Sequence, residues 1–222
     1  MRPLRLRREQ TCQGPLVLID RAHPLQEGAP PELVPVDRLH PQVLLERRAA
    51  RLLAACIRSV GGGRTIVPVS GWRSRAEQQA IWDDTRAREG DAFTRQYVAL
   101  PGCSEHQTGL ALDIVAAGYQ ILDEEQEDTA EQKWLMENSW KYGFILRYPS
   151  EKSDITGIGY EPWHYRYVGK AAAADIYRTG VCLEEYLSQE GPEAELAPAQ
   201  TIRQAAPASG SMETAPQGAA AI

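Results

Sequence analysis

The sequence predicts an α+β fold, a single domain in which a mostly antiparallel central sheet is flanked by helices. Short apolar or β-branched segments typical of strands occur at 65–70, 110–115, 144–148 and 164–168. Apolar residues at helical spacing lie between them, so strands and helices are interspersed, as in α+β domains. The 222 residues suffice for one domain with a substantial core, and we see no internal repeat and no second domain.

The composition excludes some function classes. Hydrophobic residues make up 43% and charged residues 24% of the chain, which is ordinary for a globular protein. The net charge of −6 gives no sign of the basic surface that nucleic-acid binding requires, so no nucleic-acid partner is expected. The four cysteines are far apart and contain no CxxC pair, which indicates free thiols.

The first residues form a basic extension, 1–15, with four arginines among the first ten residues. An export signal needs an apolar run of about 7–15 residues after such a start. The run that follows, Leu16 to Ile19, is closed by Asp20 and Arg21 and reads as a short strand. No segment approaches the roughly 18 apolar residues of a membrane span. We therefore expect a cytoplasmic protein, unless an export segment precedes this sequence.

The next elements follow from local patterns. Four prolines in Gln26–Pro41 predict an extended connection, and apolar residues at helical spacing predict a helix from Gln42 to the glycines at 61–63. Thr65–Ser70 is β-branched and reads as a strand in which Pro68 indicates an edge or a bulge.

A capping box predicts the following helix. Ser74 and Glu77 have the spacing of this motif, so the helix is expected to begin there and to stop near Gly90. Arg73 then lies at a strand-to-helix junction, where side chains commonly point into a cleft.

The second half contains three strands and three helices by the same criteria. The predicted strands are Leu110–Val115, Phe144–Tyr148 and His164–Val168, and the predicted helices are Ala130–Tyr142, Ala171–Arg178 and Leu183–Ser188. Gly118–Asp128 and Ser150–Gly159 read as polar loops. From 189 to 222 the sequence is rich in Ala and Pro and lacks aromatic residues, which predicts a disordered tail.

Two histidines and one carboxylate stand out as candidate metal ligands. His106 and His164 each lie in a polar and aromatic cluster beside a strand, and Asp113 interrupts the apolar run Leu110–Val115. Burying an ionised carboxylate without a partner costs roughly several kcal/mol, and a bound metal cation would remove that cost. Three such ligands leave the fourth tetrahedral position of zinc for water. The structural alternatives are hydrogen-bonded core histidines and a buried salt bridge from Asp113 to an arginine.

Five further residues are candidates for catalysis and substrate binding. Glu161, three residues before His164, would take a proton from water if Pro162 bends the chain so that both side chains converge. Arg73 can hold a substrate carboxylate or stabilise an oxyanion. Ser104, Gln78 and Trp163 are candidate substrate contacts, although an aromatic residue next to a strand is more often part of the core.

These residues resemble a known family. The motifs Ser104-x-His106-x-x-Gly109-x-Ala111-x-Asp113 and Glu161-x-Trp163-His164 are similar to those of the zinc D-Ala-D-Ala peptidases of glycopeptide (vancomycin) resistance, the VanX, VanY and VanXY types, and closest to VanY and VanXY. The resemblance spans about Leu16 to Leu187, so 16–188 is expected to be a zinc D,D-peptidase domain.

The resemblance implies one zinc ion per chain, bound by His106, Asp113 and His164, with Glu161 as base and Arg73 beside the scissile group. The substrate implied is the terminal D-Ala-D-Ala of a peptidoglycan precursor, as free dipeptide or as pentapeptide. The family usually has tyrosine where this chain has Trp72.

Two other functions remain open from the residues. One is a non-catalytic module that binds cell-wall peptides, which has no need of Glu161. The other is a hydrolase that uses Cys103 as nucleophile, although nothing in the sequence indicates how the pKa of that thiol would be lowered. The balance between carboxypeptidase and dipeptidase activity, the preference among D-Ala-D-Ala, D-Ala-D-Lac and D-Ala-D-Ser, and the oligomeric state do not follow from the sequence.

Overall fold

The computed structural model describes residues 14–25, 31–61 and 65–188. Its strands are β1 (Leu33–Pro35), β2 (Leu44–Glu46), β3 (Ile66–Ser70), β4 (Ala111–Ala116), β5 (Phe144–Leu146) and β6 (His164–Tyr167). Its α-helices are α1 (Arg47–Ser59), α2 (Arg75–Glu89), α3 (Asp91–Tyr97), α4 (Ala130–Asn138), α5 (Ser153–Thr156), α6 (Lys170–Thr179) and α7 (Leu183–Ser188). No helix in these described ranges is long and apolar enough to cross a membrane.

The central sheet has four strands in the order β3-β4-β6-β5, and every neighbouring pair is antiparallel. A separate antiparallel pair, β1 with β2, leads directly into α1. The main apolar core lies between the sheet, α1 and α4, around fully buried side chains such as Leu53, Leu112 and Leu135. The expected α+β fold with an antiparallel sheet is confirmed.

The edge strand β3 has the irregularity that proline predicts. Its register with β4 shifts between Pro68 and Ser70. Proline has no N–H to donate to a ladder, so an edge strand with a bulge is where it is tolerated. The capping box of α2 also forms as expected, because the Ser74 hydroxyl accepts from the Glu77 N–H and the Glu77 carboxylate accepts from the Ser74 N–H. These two elements place Arg73 between them.

The strand expected at Leu16–Ile19 is wrong. Gly14–Leu16 is a 3₁₀ helix, and the residues after it pair with no strand in the part of the chain that the structure describes. Val17 and Ile19 are nevertheless buried, so the apolar pattern reflects packing alone. The carbonyls of Pro15 and Val17 accept hydrogen bonds from the Arg166 guanidinium, which replaces a strand partner.

The boundaries around α1 also differ from the expectation. Part of the supposed extended connection is β1, and 44–46 forms β2, so the helix begins at Arg47 instead of Gln42. The Glu46 carboxylate caps it by accepting from the N–H groups of Arg48 and Ala49. The helix ends at Ser59 with an extended Val60, so Gly61 does not cap it, and Gly62 and Gly63 lie outside the described residues.

Shorter elements appear where loops were expected. The helices α3 and α5 and the 3₁₀ helix Glu124–Asp128 were not predicted, and the long helix expected at Ala130–Tyr142 is divided into α4 and a 3₁₀ turn that ends at Gly143. The basic extension up to residue 13 and the tail from 189 to 222 lie outside the described residues, so the domain boundaries 1–15, 16–188 and 189–222 stay predictions.

Candidate metal centre

Three predicted ligands meet at the centre of the sheet. Asp113 in β4 and His164 in β6 are direct register partners, so their side chains project from the same face. His106 comes from the 3₁₀ helix Glu105–Thr108, which ends at the left-handed Gly109 just before β4. One ligand atom from each residue lies within 4.8 Å of the other two, and all three side chains are buried.

The ring nitrogens of the two histidines have different partners. His106 donates from Nδ1 to the Gly71 carbonyl at 2.6 Å, which leaves Nε2 at 3.4 Å from Asp113 Oδ1. His164 has Nδ1 at 3.1 Å from the same carboxylate oxygen. His106 Nε2 is buried without a hydrogen-bond partner. Two imidazole nitrogens and a carboxylate oxygen that converge in this way fit a zinc ion.

The charges in the centre are strongly coupled. Burial by itself would raise the pKa of Asp113, but the adjacent histidines and Arg73 hold this pKa well below its usual range. Burial, together with the Arg73 charge, lowers the pKa of His106 to about 4. Burial by itself would lower the pKa of His164, but the adjacent carboxylates of Asp113 and Glu105 outweigh this effect and raise the pKa to about 9. Asp113 is therefore an anion, as a ligand for a cation must be.

Arg73 and Gln78 form a unit beside the ligands. The Arg73 guanidinium donates to Asp113 Oδ2 at 3.2 Å and to Gln78 Oε1 at 3.2 Å. The Gln78 amide in turn donates to the Ala99 carbonyl at 2.8 Å. The salt bridge that was the structural alternative for Asp113 is thus present, but it uses one oxygen while the other faces both histidines.

Glu161 reaches the same centre through a turn. The His164 N–H donates to the Glu161 carbonyl at 3.1 Å, so the chain bends at Pro162 and Trp163 instead of running extended. This bend brings Glu161 Oε2 to 3.7 Å from His164 Nδ1. Burial, with repulsion from Asp113 and Glu105, raises the pKa of Glu161 to about 8 despite the opposing effect of His164 and Arg73. A dication bound beside it would favour the carboxylate.

One cleft of about 500 Å³ contains the whole set. All eight predicted site residues line it: Arg73, Gln78, Ser104, His106, Asp113, Glu161, Trp163 and His164. Cys103 is not among its lining residues, and burial raises the pKa of this thiol, which disfavours a thiolate nucleophile.

Two further residues lie next to the centre: Tyr148, an aromatic residue that the sequence offered either as a pocket wall or as part of the core, and Glu105, which sequence reasoning missed. The Tyr148 ring lies 4.9 Å from the His164 ring, between centroids, and it lines the cleft. Glu105 is fully buried and forms ion pairs with Arg147 and Arg166 at 2.8 and 2.6 Å. Charged residues inside otherwise apolar strands drew attention to Asp113, and the same signal at Arg147 and Arg166 would have pointed to Glu105.

Comparison with known proteins agrees with this geometry. Residues 42–170 match the family model described as "VanY: D-alanyl-D-alanine carboxypeptidase". The chain belongs to this family. The chain is 40% identical over 175 residues to a bifunctional D-Ala-D-Ala dipeptidase and carboxypeptidase, VanXYC of Enterococcus gallinarum, covering 77% of this chain and 92% of that protein. Two further carboxypeptidase relatives are longer, and this chain spans about half of each.

Solved structures show the same family. The D,D-dipeptidase VanXYg in complex with a D-Ala-D-Ala phosphinate analogue is 39% identical, with a TM-score of 0.74 over 82% of this chain and 73% of that one. A glutamate-to-alanine mutant of the D,D-pentapeptidase VanY from a VanB-type resistance cassette, in complex with Zn(II), is 38% identical, with a TM-score of 0.69 over 78% of this chain and 98% of that one. The expected resemblance to VanY and VanXY peptidases is confirmed, and with it the enzyme class of metallopeptidase.

Proposed function

We propose that this protein is a zinc-dependent D,D-peptidase that hydrolyses the terminal D-Ala-D-Ala of peptidoglycan precursors. The observation that carries the proposal is the convergence of His106, Asp113 and His164 with Glu161 in one cleft. A non-catalytic binding module would have no use for a buried carboxylate beside the ligands. The substrate follows from the relatives, one of which contains a D-Ala-D-Ala analogue.

His106 through Nε2, Asp113 through Oδ1 and His164 through Nδ1 would hold the zinc ion. When bound, zinc polarises a carbonyl and lowers the pKa of water, which is the chemistry that peptide hydrolysis needs at neutral pH. The hydrogen bond from His106 Nδ1 to the Gly71 carbonyl places the ring proton on Nδ1. Nε2 therefore keeps its lone pair free to bind the metal.

Glu161 moves the proton in this proposal. Its carboxylate accepts a proton from the attacking water and returns it to the nitrogen of the leaving D-Ala. A pKa raised toward neutrality by burial suits a group that must both accept and release a proton near pH 7. Zinc would lower this pKa, so the carboxylate is present at the start of each cycle.

Arg73 supplies positive charge at the cleft wall. Because Gln78 and Asp113 hold its guanidinium in place, it can stabilise negative charge on the scissile carbonyl without reorganising. Ser104 and Trp163 line the remaining wall and would contact the peptide. Gln78 is buried, and both ends of its amide already have partners, so its contribution would be mainly through Arg73.

The test is the release of D-Ala from the free dipeptide and from the pentapeptide precursor, each with and without a zinc chelator. A tetrapeptide whose last bond follows an L residue is the control substrate. We expect chelator-sensitive release from the dipeptide, the pentapeptide or both, and none from the control. Activity on neither D,D substrate would contradict the proposal, and activity that survives the chelator but stops on thiol alkylation would favour Cys103.

The same assay decides between carboxypeptidase and dipeptidase, since activity on only one substrate assigns the subtype. Replacing the last D-Ala by D-Lac or D-Ser in the pentapeptide measures the preference for the leaving group.

A further inference from the structure

Glu105 lies next to His164 in the buried wall of the cleft. It is 1% exposed, and its Oε1 accepts from Arg147 Nε at 2.8 Å and from Arg166 Nη1 at 2.6 Å. The second oxygen, Oε2, is buried without a hydrogen-bond partner. It faces His164 Nε2 at 3.7 Å, and that nitrogen is also buried without a partner. Two complementary buried polar atoms thus face each other.

The two nitrogens of His164 therefore face two different groups. Nδ1 faces Asp113 and Glu161 in the metal centre, whereas Nε2 faces Glu105. A histidine that binds a metal through one nitrogen usually donates from the other to a carboxylate or carbonyl. We infer that Glu105 is a positioning residue that accepts the Nε2–H of His164 and so presents Nδ1 to zinc. This inference rests on the proposed zinc function.

The surrounding cations make Glu105 suited to this role. Arg147 and Arg166 occupy only Oε1, so the carboxylate stays charged while Oε2 remains free for His164. Arg147 is itself held by Glu184 of α7, through Nη1 at 3.0 Å and Nη2 at 2.7 Å. The orientation of Glu105 is thereby determined by contacts that involve no metal ligand.

The two histidine ligands then differ in their outer partners. His106 donates to a neutral carbonyl, that of Gly71, whereas His164 would donate to a carboxylate. A carboxylate acceptor increases the basicity of the metal-binding nitrogen more than a carbonyl does. His164 would be the stronger of the two nitrogen donors, and its strength would depend on Glu105.

The experiment measures zinc affinity, by competition with a chromophoric chelator, in wild type, Glu105→Gln and Glu184→Gln. In Glu105→Gln the two arginines would attract the amide oxygen, so the NH₂ group would face His164 and favour the wrong tautomer. We expect zinc to bind about 10–100-fold more weakly to this variant, the usual effect of losing such an outer partner. Glu184→Gln removes a carboxylate from the same Arg147 without touching His164, and its zinc affinity should stay within about threefold of wild type.

Equal zinc affinity in Glu105→Gln and wild type would overturn the inference, as would an equal loss in both variants. If Glu105→Gln does not fold, the wild-type protein decides, through ¹⁵N spectra of its histidines in the zinc-loaded state. The inference requires a proton on Nε2 of His164, and a proton on Nδ1 would overturn it. If wild type itself binds no zinc, the proposed function fails together with this inference; if only the variant comparison fails, the proposed function stands.

Discussion

Two buried glutamates on opposite sides of His164 behave in opposite ways. Glu161 is 6% exposed, and Glu105, which forms a buried cluster with Arg147 and Arg166, is 1% exposed, so burial is nearly the same. Burial, with the negative charges of Asp113 and Glu105, raises the pKa of Glu161 to about 8, because the opposing charges of His164 and Arg73 are too weak to offset it. For Glu105, Arg147 and Arg166 overcome the effect of burial and hold the pKa well below its usual range.

The difference shows that the charges of neighbouring residues, more than the extent of burial, determine the pKa of a buried carboxylate. Glu161 can exchange a proton near neutral pH, which suits acid–base chemistry. Glu105 is a permanent anion, which suits a fixed hydrogen-bond acceptor. The same residue type next to the same histidine therefore serves two roles, and the following predictions test that division.

The largest effect is expected for Glu161→Gln. Glutamine has nearly the shape of glutamate but accepts no proton, so kcat for D-Ala release should fall about 10²–10⁴-fold, the usual contribution of a general base. Zinc content should be unchanged, since Glu161 is not one of the three ligands. The measurement is steady-state kinetics on the preferred substrate together with metal analysis of the purified variant. A variant that retains more than a tenth of the wild-type kcat would remove Glu161 from the mechanism.

The next effect is a loss of folding stability, and it concerns the buried cluster of Glu105, Arg147 and Arg166. Arg166→Met leaves Glu105 with one arginine and removes the hydrogen bonds to the Pro15 and Val17 carbonyls. Removing one partner of a buried ion pair typically costs about 3–5 kcal/mol, so the free energy of unfolding should fall by that order. Chemical denaturation of both proteins measures it.

An exposed arginine gives the matched control for that variant. Arg178 forms an ion pair with Asp175 on the surface of α6, and its side chain is 60% exposed. Arg178→Met should change the unfolding free energy by less than about 1 kcal/mol. Similar losses of unfolding free energy in the two variants would mean that the buried ion pairs stabilise the fold no more than the exposed one does.

The last effect is a pH dependence of stability in the zinc-free protein. The pKa of Glu161 is raised from 4.5 to about 8 in the folded state, so between these values the folded state binds the proton and the unfolded state does not. Stability from this group is complete below about pH 4.5 and is lost as the pH rises toward 8, with a slope of up to about 1.4 kcal/mol per pH unit.

Denaturation at several pH values between 5 and 8 measures this slope. Glu161→Gln carries no titrating group at this position, so the decline should be shallower in the variant than in wild type. Parallel curves for the two proteins would show that Glu161 is not protonated in the folded state.

Much of the candidate centre was predictable because its residues differ in polarity or conformation from what the surrounding sequence favours. Asp113 interrupts an apolar strand, and Glu161 and His164 flank a proline that demands a bend. Strands β3 to β6 and the capping box of α2 were predictable for a related reason, since each has a short-range signal in alternation, β-branching or a cap.

The remaining features depend on contacts between distant residues. Leu16–Ile19 has the composition of a strand, but its carbonyls bond to Arg166, about 150 positions further along the chain. Glu105 is likewise held by residues 42 and 61 positions away. No local pattern predicts such partners, and the start of α1 was misplaced because 44–46 pairs with β1 as a strand.

The direct pairing of Asp113 with His164 restricts how this protein can vary. Side chains on a strand alternate between faces with a period of two, so one residue inserted within β4 or β6 would turn a ligand toward the opposite side of the sheet. Insertions in the loops of the long connection between these strands, which contains α4, β5 and α5, leave the pairing intact. Length changes among relatives should therefore accumulate between the two strands and be absent within them, whatever substrate each enzyme prefers.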